Sequence, residues 1–330
     1  MIRITCLLAV CALVFSCGGK KEKPVEETPI RNVKVPAFNS DSAFYFVEKQ
    51  VRFGPRIPNT PAHKSTGDYL VTKLKQSGAT VQQQEFEAKT YDGQKLFLRN
   101  IIASFSPEKS KRILLAAHWD TRPFSDKDPK KPNVAFDGAN DGASGVGVLL
   151  EVARVIGSNT PPDVGIDIIF FDGEDWGERN NESDRVQLPQ DLDSWWCLGS
   201  QYWSKHKHKA NYTAYYGILL DMVGAKNSHF FKEGVSMEYA PRIVEKVWSA
   251  ASRLGQSAIF VNQKEANIID DHVFVNNFAK IPMIDIVHYD PVVGYFGDYH
   301  HTQADNLSLI SKDMLGVVGS VLVNVIYYEE

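Results

Sequence analysis

Two almost continuous apolar runs, Arg112 to Ala117 and Gly165 to Phe171, constrain this chain more than any other feature. Each is too short for an ordinary helix and reads as a buried strand. The second run ends abruptly in Phe171-Asp172-Gly173-Glu174-Asp175. Functional groups in open α/β sheets gather outside the carboxyl ends of strands. Two adjacent acids repel each other and are tolerated near an interior only when a cation, a hydrogen-bond network or a shared proton compensates. A solvated acidic turn is the plainer alternative, and other segments decide between them.

The runs alternate with helical signals. Helices are expected near Asp41 to Val51, from Thr60-Pro61 to Gly78, where Thr caps and Pro opens the helix, and over Gly142 to Ile156, Leu198 to His206, Pro241 to Leu254 and Ser311 to Tyr328. Val81 to Ala88 and Lys95 to Ser104 form a strand pair around the turn Tyr91-Asp92-Gly93-Gln94. Further strands are expected at Tyr215 to Leu220, Ala258 to Val261 and Met283 to Val287. The alternation predicts one α/β domain from residue 39 to 330, a central, mostly parallel twisted sheet flanked by helices. Residues Trp176 to Trp196 are polar without a clear period, and a loop of that length inside a compact domain is usually functional or mobile.

With 330 residues, 43% of them hydrophobic, the chain is long enough for a large core. Its net charge of -4 and lack of a basic run with interleaved aromatics argue against nucleic-acid binding. The start, Met1 to Cys17, has Arg3, an apolar run from Leu7 to Phe15 and the ending Phe15-Ser16-Cys17. It is too short to span a bilayer and has the shape of an export signal. The ending resembles a lipobox, which implies a lipid anchor at Cys17 and a place in the bacterial cell envelope, periplasm or surface; an ordinary signal peptide with an incidental Cys is the alternative. Residues 18–38 read as a flexible tether. Three of the four cysteines lie in the export segment, leaving Cys197 alone in the body and excluding a structural disulfide within a mature chain.

Polar residues recur at strand ends: His118 and Asp120, Asp141 within Gly138-Ala139-Asn140-Asp141-Gly142-Ala143-Ser144-Gly145, Glu174 and Asp175, Asp221, then Asp270-Asp271-His272 and His300-His301. Carboxylate and imidazole are the ligand types of catalytic zinc. Asp141 has a plainer reading as a helix N-cap. The ordered set resembles the zinc-dependent aminopeptidase superfamily called M28. Within it, Leu219-Leu220-Asp221-Met222-Val223-Gly224-Ala225, Leu198-Gly199-Ser200, Asp270-Asp271-His272 and His301-Thr302-Gln303-Ala304-Asp305-Asn306 look most like the glutaminyl cyclases, animal-type and bacterial.

The resemblance implies that Asp141, Asp175 and His301 hold one zinc. It makes Glu174 the acid/base, coupled to Asp221 and Asp270, and gives the substrate pocket walls from Trp196, or else Trp195, with Phe296. The implied substrate is a peptide or protein N-terminus bearing Gln. The chain departs from the animal enzymes at Asp175, where they carry a Glu, at His300, where they carry a Trp and where any substrate contact must differ in kind, and in its longer loop from Trp176 to Trp196. An aminopeptidase would use nearly the same residues and two zinc ions, the second at His118 and Asp221 bridged by Asp141. With one metal, His118 and Asp120 would instead bond the ligands or the loop. A binding protein that kept the fold and lost activity is the third reading. His63, His229 and His288 have no evident partner in sequence, His206 and His208 read as solvated, and Cys197 reads as a packed thiol.

Overall fold

The computed structural model describes residues 33–179 and 186–330. The export segment and nearly all of the expected tether lie outside those residues. Among the described residues, no helix is long and apolar enough to cross a membrane.

The chain opens with helices α1 (Ser40–Arg52) and α2 (Pro61–Gln76). Asn39 caps α1 by accepting from the Ser42 amide, and Thr60 caps α2 from the His63 amide with Pro61 just inside. Strands β1 (Thr80–Lys89) and β2 (Lys95–Phe105) pair antiparallel in uninterrupted register, Thr80 opposite Ser104 and Lys89 opposite Lys95. Then come β3 (Arg112–His118), α3 (Ala143–Ser158), β4 (Gly165–Phe171), α4 (Leu198–Lys205) and β5 (Tyr216–Asp221). The main sheet is completed by β8 (Met283–Val287). Its strand order is β1-β2-β4-β3-β5-β8. Strands β4, β3, β5 and β8 are mutually parallel, while β2 runs antiparallel to β4.

Every residue of β3, β4, β5 and β8 is buried, as strands covered on both faces require. Alternation sorts their side chains. Leu114, Ala116, Ile169, Phe171 and Leu219 join Trp203 of α4 in one apolar cluster. Ala117, pointing the other way, faces α3, where a Cβ on Gly145 would meet the Leu220 carbonyl at 2.3 Å and the Ala117 methyl at 3.0 Å. Helix α3 can therefore lie directly on the sheet only because residue 145 has no side chain. Helices α1 and α8 (Lys312–Tyr327) pack on α3.

Outside this frame the chain departs from expectation. The strand placed at Ala258 to Val261 begins later, as β7 (Phe260–Lys264), and pairs with β6 (Phe230–Lys232) in a separate two-stranded sheet. Helix α5 (Gly234–Tyr239) precedes α6 (Pro241–Arg253) and has no sequence counterpart in the expected pattern. The segment after Asp270 is one short turn of helix, α7 (Asp271–Phe274), that widens into a π turn at Val275–Ala279.

Candidate active site

Because β4 and β5 lie on either side of β3, the chain diverges at the carboxyl end of β3, where open α/β sheets leave a crevice. The expected site residues converge there. Asp141, Glu174, Asp175, Trp196, Asp221, Asp270, Phe296, His300 and His301 line one cleft of 640 Å³. A larger groove of 910 Å³ along Thr60, Phe86, Phe97 and Arg99 lies elsewhere and includes none of them.

Asp141 does not cap α3. The cap position is Gly142, with φ +80°, and it makes no side-chain cap bond. A Cβ there would meet His118 Cε1 at 2.9 Å and the Asp120 carbonyl at 3.1 Å, so glycine lets the turn close on His118 while Asp141 faces the cleft. Two groups given no role by sequence reasoning hold this turn. Asp305 accepts from the amides of Asn140 at 2.7 Å and Asp141 at 3.1 Å. The buried Arg56 guanidinium donates to the carbonyls of Asp137, Gly138 and Asp141.

The Glu174-Asp175 loop is clamped from below. Asp120, fully buried, accepts the Glu174 amide at 3.0 Å and the Asp175 amide at 3.1 Å, one on each carboxylate oxygen. Asp120 therefore bonds the loop. Asp175 Oδ2 takes the Arg122 amide at 2.9 Å, and Oδ1 lies 2.9 Å from His301 Nε2. His301 Nε2 is also 3.5 Å from Asp141 Oδ2, while its Nδ1 sits 3.5 Å from Asp126 Oδ1. A carboxylate behind a ligating imidazole fixes its tautomer and raises its basicity. Asp126 is in turn gripped by both arms of the Arg122 guanidinium, at 2.9 and 2.7 Å. Asp126 and Arg122 carried no signal in the sequence, because the groups they support, His301 and Asp175, lie far along the chain.

These residues fit a divalent cation. Asp141 Oδ2 is buried without a hydrogen-bond partner. Burial and the neighbouring Asp141 push the Asp175 carboxyl above its ordinary range, a cost that a cation between them relieves. Two carboxylates and an imidazole are a donor set that zinc takes. His300 also approaches Asp141 Oδ2, at 3.9 Å, but its Nδ1 is engaged by Lys127 Nζ at 2.6 Å. Burial, then the adjacent His301, push the His300 imidazole well below its ordinary value and keep it neutral.

His118 lies beneath this set. Its Nε2 is 3.0 Å from Asp141 Oδ1 and 3.3 Å from Asp221 Oδ1. The donor atoms of His118, Asp141 and Asp221 fall within 4.8 Å of one another. Beside them Glu174 is raised well above the usual carboxyl range, by burial first and then by Asp270, Asp175 and Asp271 against the opposing pull of His118. Asp221 is pushed up to about 7 by burial, with Asp270 and Asp141 adding to it against His118. An acid whose proton affinity is raised in this way is suited to acid/base work. Behind Asp270, the buried Asp285 has both carboxyl oxygens unpartnered by ordinary donors and shares a hydrogen bond with Asp270. Sequence reasoning passed over Asp285 as one polar residue inside a strand.

The fold also decides between the two tryptophans. Trp195 packs among Phe86, Tyr91, Leu98 and Leu198, away from the cleft. Trp196 stands parallel to the His301 ring at 6.0 Å, and the Arg122 guanidinium lies 4.6 Å from the centre of the Trp196 ring. Phe296 meets His300 edge-on at 4.6 Å. His63 has a partner after all: Nε2 is 2.9 Å from Asp172 and the ring stacks on Trp119 at 4.3 Å. His288 Nδ1 bonds the Tyr299 hydroxyl at 2.6 Å, the His229 carbonyl accepts the Tyr289 amide at 3.2 Å, and His208 accepts from the Trp203 indole at 3.0 Å, so His208 is not simply solvated. Cys197 is free and buried, and burial together with Glu174 pushes its thiol well above the usual value, as for a packed thiol.

An open, mostly parallel sheet with carboxylate and imidazole donors at its carboxyl ends defines the class: α/β enzymes built around a metal site. The sequence profile of peptidase family M28 matches residues 100–326, and the chain belongs to that family. A Zn-dependent exopeptidase from Parabacteroides distasonis is 53% identical, with 90% of this chain and 100% of that chain covered and a TM-score of 0.85. A glutaminyl cyclase from Bacteroides thetaiotaomicron, solved with N-acetylhistamine bound, is 47% identical over 90% of this chain and 100% of that one, with a TM-score of 0.84. The glutaminyl-peptide cyclotransferase of Dictyostelium discoideum is 22% identical, covering 96% of this chain and 94% of its own length.

Proposed function

We propose that this chain is a zinc-dependent glutaminyl-peptide cyclotransferase, converting an N-terminal Gln of peptides and proteins to pyroglutamate with release of ammonia. The observation that carries the reading is the protonatable Glu174, flanked by Asp270 in an aromatic-walled cleft beside Asp141, Asp175 and His301. Its similarity to bacterial glutaminyl cyclases at 47% identity supports it further.

In the reaction the substrate's α-amine attacks its own side-chain amide carbon, the bond from that carbon to the amide nitrogen breaks, and the nitrogen leaves as ammonia. The nucleophile is tethered, so orientation supplies several kcal/mol of the barrier. Trp196 and Phe296 wall the pocket, hold the folded-back side chain and exclude water. Asp141, Asp175 and His301 would hold one zinc, which when bound would supply Lewis-acid polarisation of the amide oxygen. Glu174 in its ionised form takes a proton from the attacking amine and returns it to the leaving nitrogen. Asp270 keeps the proton affinity of Glu174 high through like-charge repulsion, and the same Asp270 raises Asp221 beside it. His118, with Asp141 and Asp221 on its Nε2, holds those two carboxylates in place.

One specific observation favours a second reading, a two-zinc aminopeptidase: His118, Asp141 and Asp221 form a compact donor triad that shares Asp141 with the first set. Glu174 would then activate water to attack the peptide bond. Purified protein incubated separately with Gln-Phe and Leu-Phe peptides distinguishes the two. Ammonia from the Gln peptide with both backbones intact supports the cyclase, and free N-terminal residues would establish the peptidase. The residue order Leu7 to Phe15 then Ser16-Cys17 further supports export and a lipid anchor at Cys17 in the cell envelope as part of this proposal.

A further inference from the structure

One cation stands in a cleft that is otherwise acidic. Seven carboxyl side chains line it, and among the described residues Lys127 is the only lysine or arginine that does so. The Lys127 amide donates to the His301 carbonyl at 3.2 Å, and Asp128 accepts the Gln303 amide at 3.0 Å. The segment carrying the lysine is thereby pinned to the segment carrying His300 and His301. The exposed Lys127 side chain reaches the cleft, where Nζ donates to His300 Nδ1 at 2.6 Å and stands 5.3 Å from the centre of the Tyr295 ring.

The ammonium has no acid of its own. Neighbouring Asp126 gives its two oxygens to the Arg122 guanidinium at 2.9 and 2.7 Å, and among the described residues Lys127 makes no ion pair with a carboxylate. Its partner His300 accepts through one unprotonated ring nitrogen, which takes one of three ammonium protons. Two donors remain for a ligand. An indole at residue 300 would offer no acceptor, so this seating of the lysine depends on the imidazole. His300 Nε2 lies 3.9 Å from Asp141 Oδ2, so a single imidazole ring separates the ammonium from the Asp141, Asp175 and His301 set. A peptide whose N-terminal side chain reaches that set leaves the cleft outward, with its second Cα about 3.8 Å from the first. The second residue is the part that passes the lysine.

We propose that Lys127, seated by His300, is a specificity-determining residue that receives a carboxylate carried by the residue following the N-terminal Gln, either an Asp or Glu side chain or the terminal carboxylate of a Gln dipeptide. The inference rests on the cyclase reading for the placement of Gln. A carboxylate entering an acidic cleft is repelled unless a cation compensates. Lys127 is that cation, and its ammonium, a point charge on a flexible stem without the fixed fork of a guanidinium, suits either source. A charge-assisted hydrogen bond at a solvent-accessible position is worth roughly three- to tenfold in affinity.

The test compares peptides that differ in one charge, on the zinc-loaded full chain. Gln-Glu amide against Gln-Gln amide isolates the side-chain carboxylate, and Gln-Ala against Gln-Ala amide isolates the terminal one. Dissociation constants are read by calorimetry on the Glu174→Gln chain, which turns peptides over too slowly to disturb the titration, and kcat/KM is read with Glu174 intact. A preference of about three- to tenfold for at least one carboxylate peptide is expected, shrinking with added salt. Lys127→Met should abolish that preference. Lys127→Glu should invert it, so that Gln-Lys amide is favoured over Gln-Glu amide. A merely structural lysine would move all peptides alike and leave their ratios unchanged. Unchanged ratios in both variants, no carboxylate preference in the parent, or failure of every peptide to bind would overturn the proposal. If no Gln peptide is cyclised but the lysine-dependent preference holds in calorimetry, the cyclase reading fails and the carboxylate subsite stands.

Discussion

Replacing Asp120 by alanine removes both acceptors that hold the Glu174 and Asp175 amides, at 3.0 and 3.1 Å. Each is a hydrogen bond to a charged group, worth about 1.5–3 kcal/mol, so the pair represents roughly 3–6 kcal/mol. A typical domain has only about 5–15 kcal/mol in total. His118 Nδ1, 3.5 Å from Asp120 Oδ1, loses its nearest acid as well. The expected drop in unfolding temperature is about 5–10 °C for a chain of this size. Turnover should fall about a hundredfold at least, since a shift of about 1 Å in a reacting group costs that much. Circular dichroism melts with and without chelator, alongside steady-state turnover on a Gln peptide, measure both. Asp120→Asn retains one acceptor and sets an amide donor against a backbone donor, so it should lose about half the stability and serves as the test if the alanine variant does not fold. Melting within about 1 °C of the parent, with turnover intact, would refute the clamp.

Three other perturbations probe different layers of the account. Glu174→Gln should lower turnover by about 10²–10⁴-fold while metal content stays unchanged, and loss of metal would contradict the division of labour between adjacent acids. Gly145→Ala should cost about 1–3 kcal/mol in denaturant unfolding, since its Cβ runs into the Leu220 carbonyl; an unchanged midpoint would show that α3 is not pressed on the sheet. Burial would raise the Glu233 carboxyl, but His272 and the Ile268 amide outweigh it and hold the group down to about 2. A depressed acid contributes stability above its unfolded value near 4.3 and loses it as pH falls toward 2, so Glu233→Gln should flatten the acid limb of stability between about pH 4.5 and 2 and leave alkaline stability alone.

The parts of the molecule that were legible in sequence are those whose signal is local. Strands β3, β4, β5 and β8 carry continuous apolar runs because both faces are covered, and α1 and α2 announce themselves by Asn39, Thr60 and Pro61. Acids at strand ends pointed to the cleft for the same reason. Strands β6 and β7 were missed or displaced because three- and five-residue strands have too few alternations to read. The supports of the site were invisible for another reason: Arg56 meets Gly138, and Lys127 meets His300, across separations of 82 and 173 residues. No window along the chain contains both partners. Trp195 and Trp196 are neighbours in sequence, and only the loop's path sends the first into the core beside Leu198 and the second into the cleft.

The central claim is that the substrate's own amine, and not water, attacks at the site formed by Glu174 and the Asp141, Asp175 and His301 set. Mass spectrometry of a Gln-Phe peptide incubated with the protein in heavy-oxygen water tests this directly. The account predicts a product lighter by one ammonia, with no heavy oxygen in it. A released residue carrying heavy oxygen, or a deamidated peptide containing it, would contradict the claim.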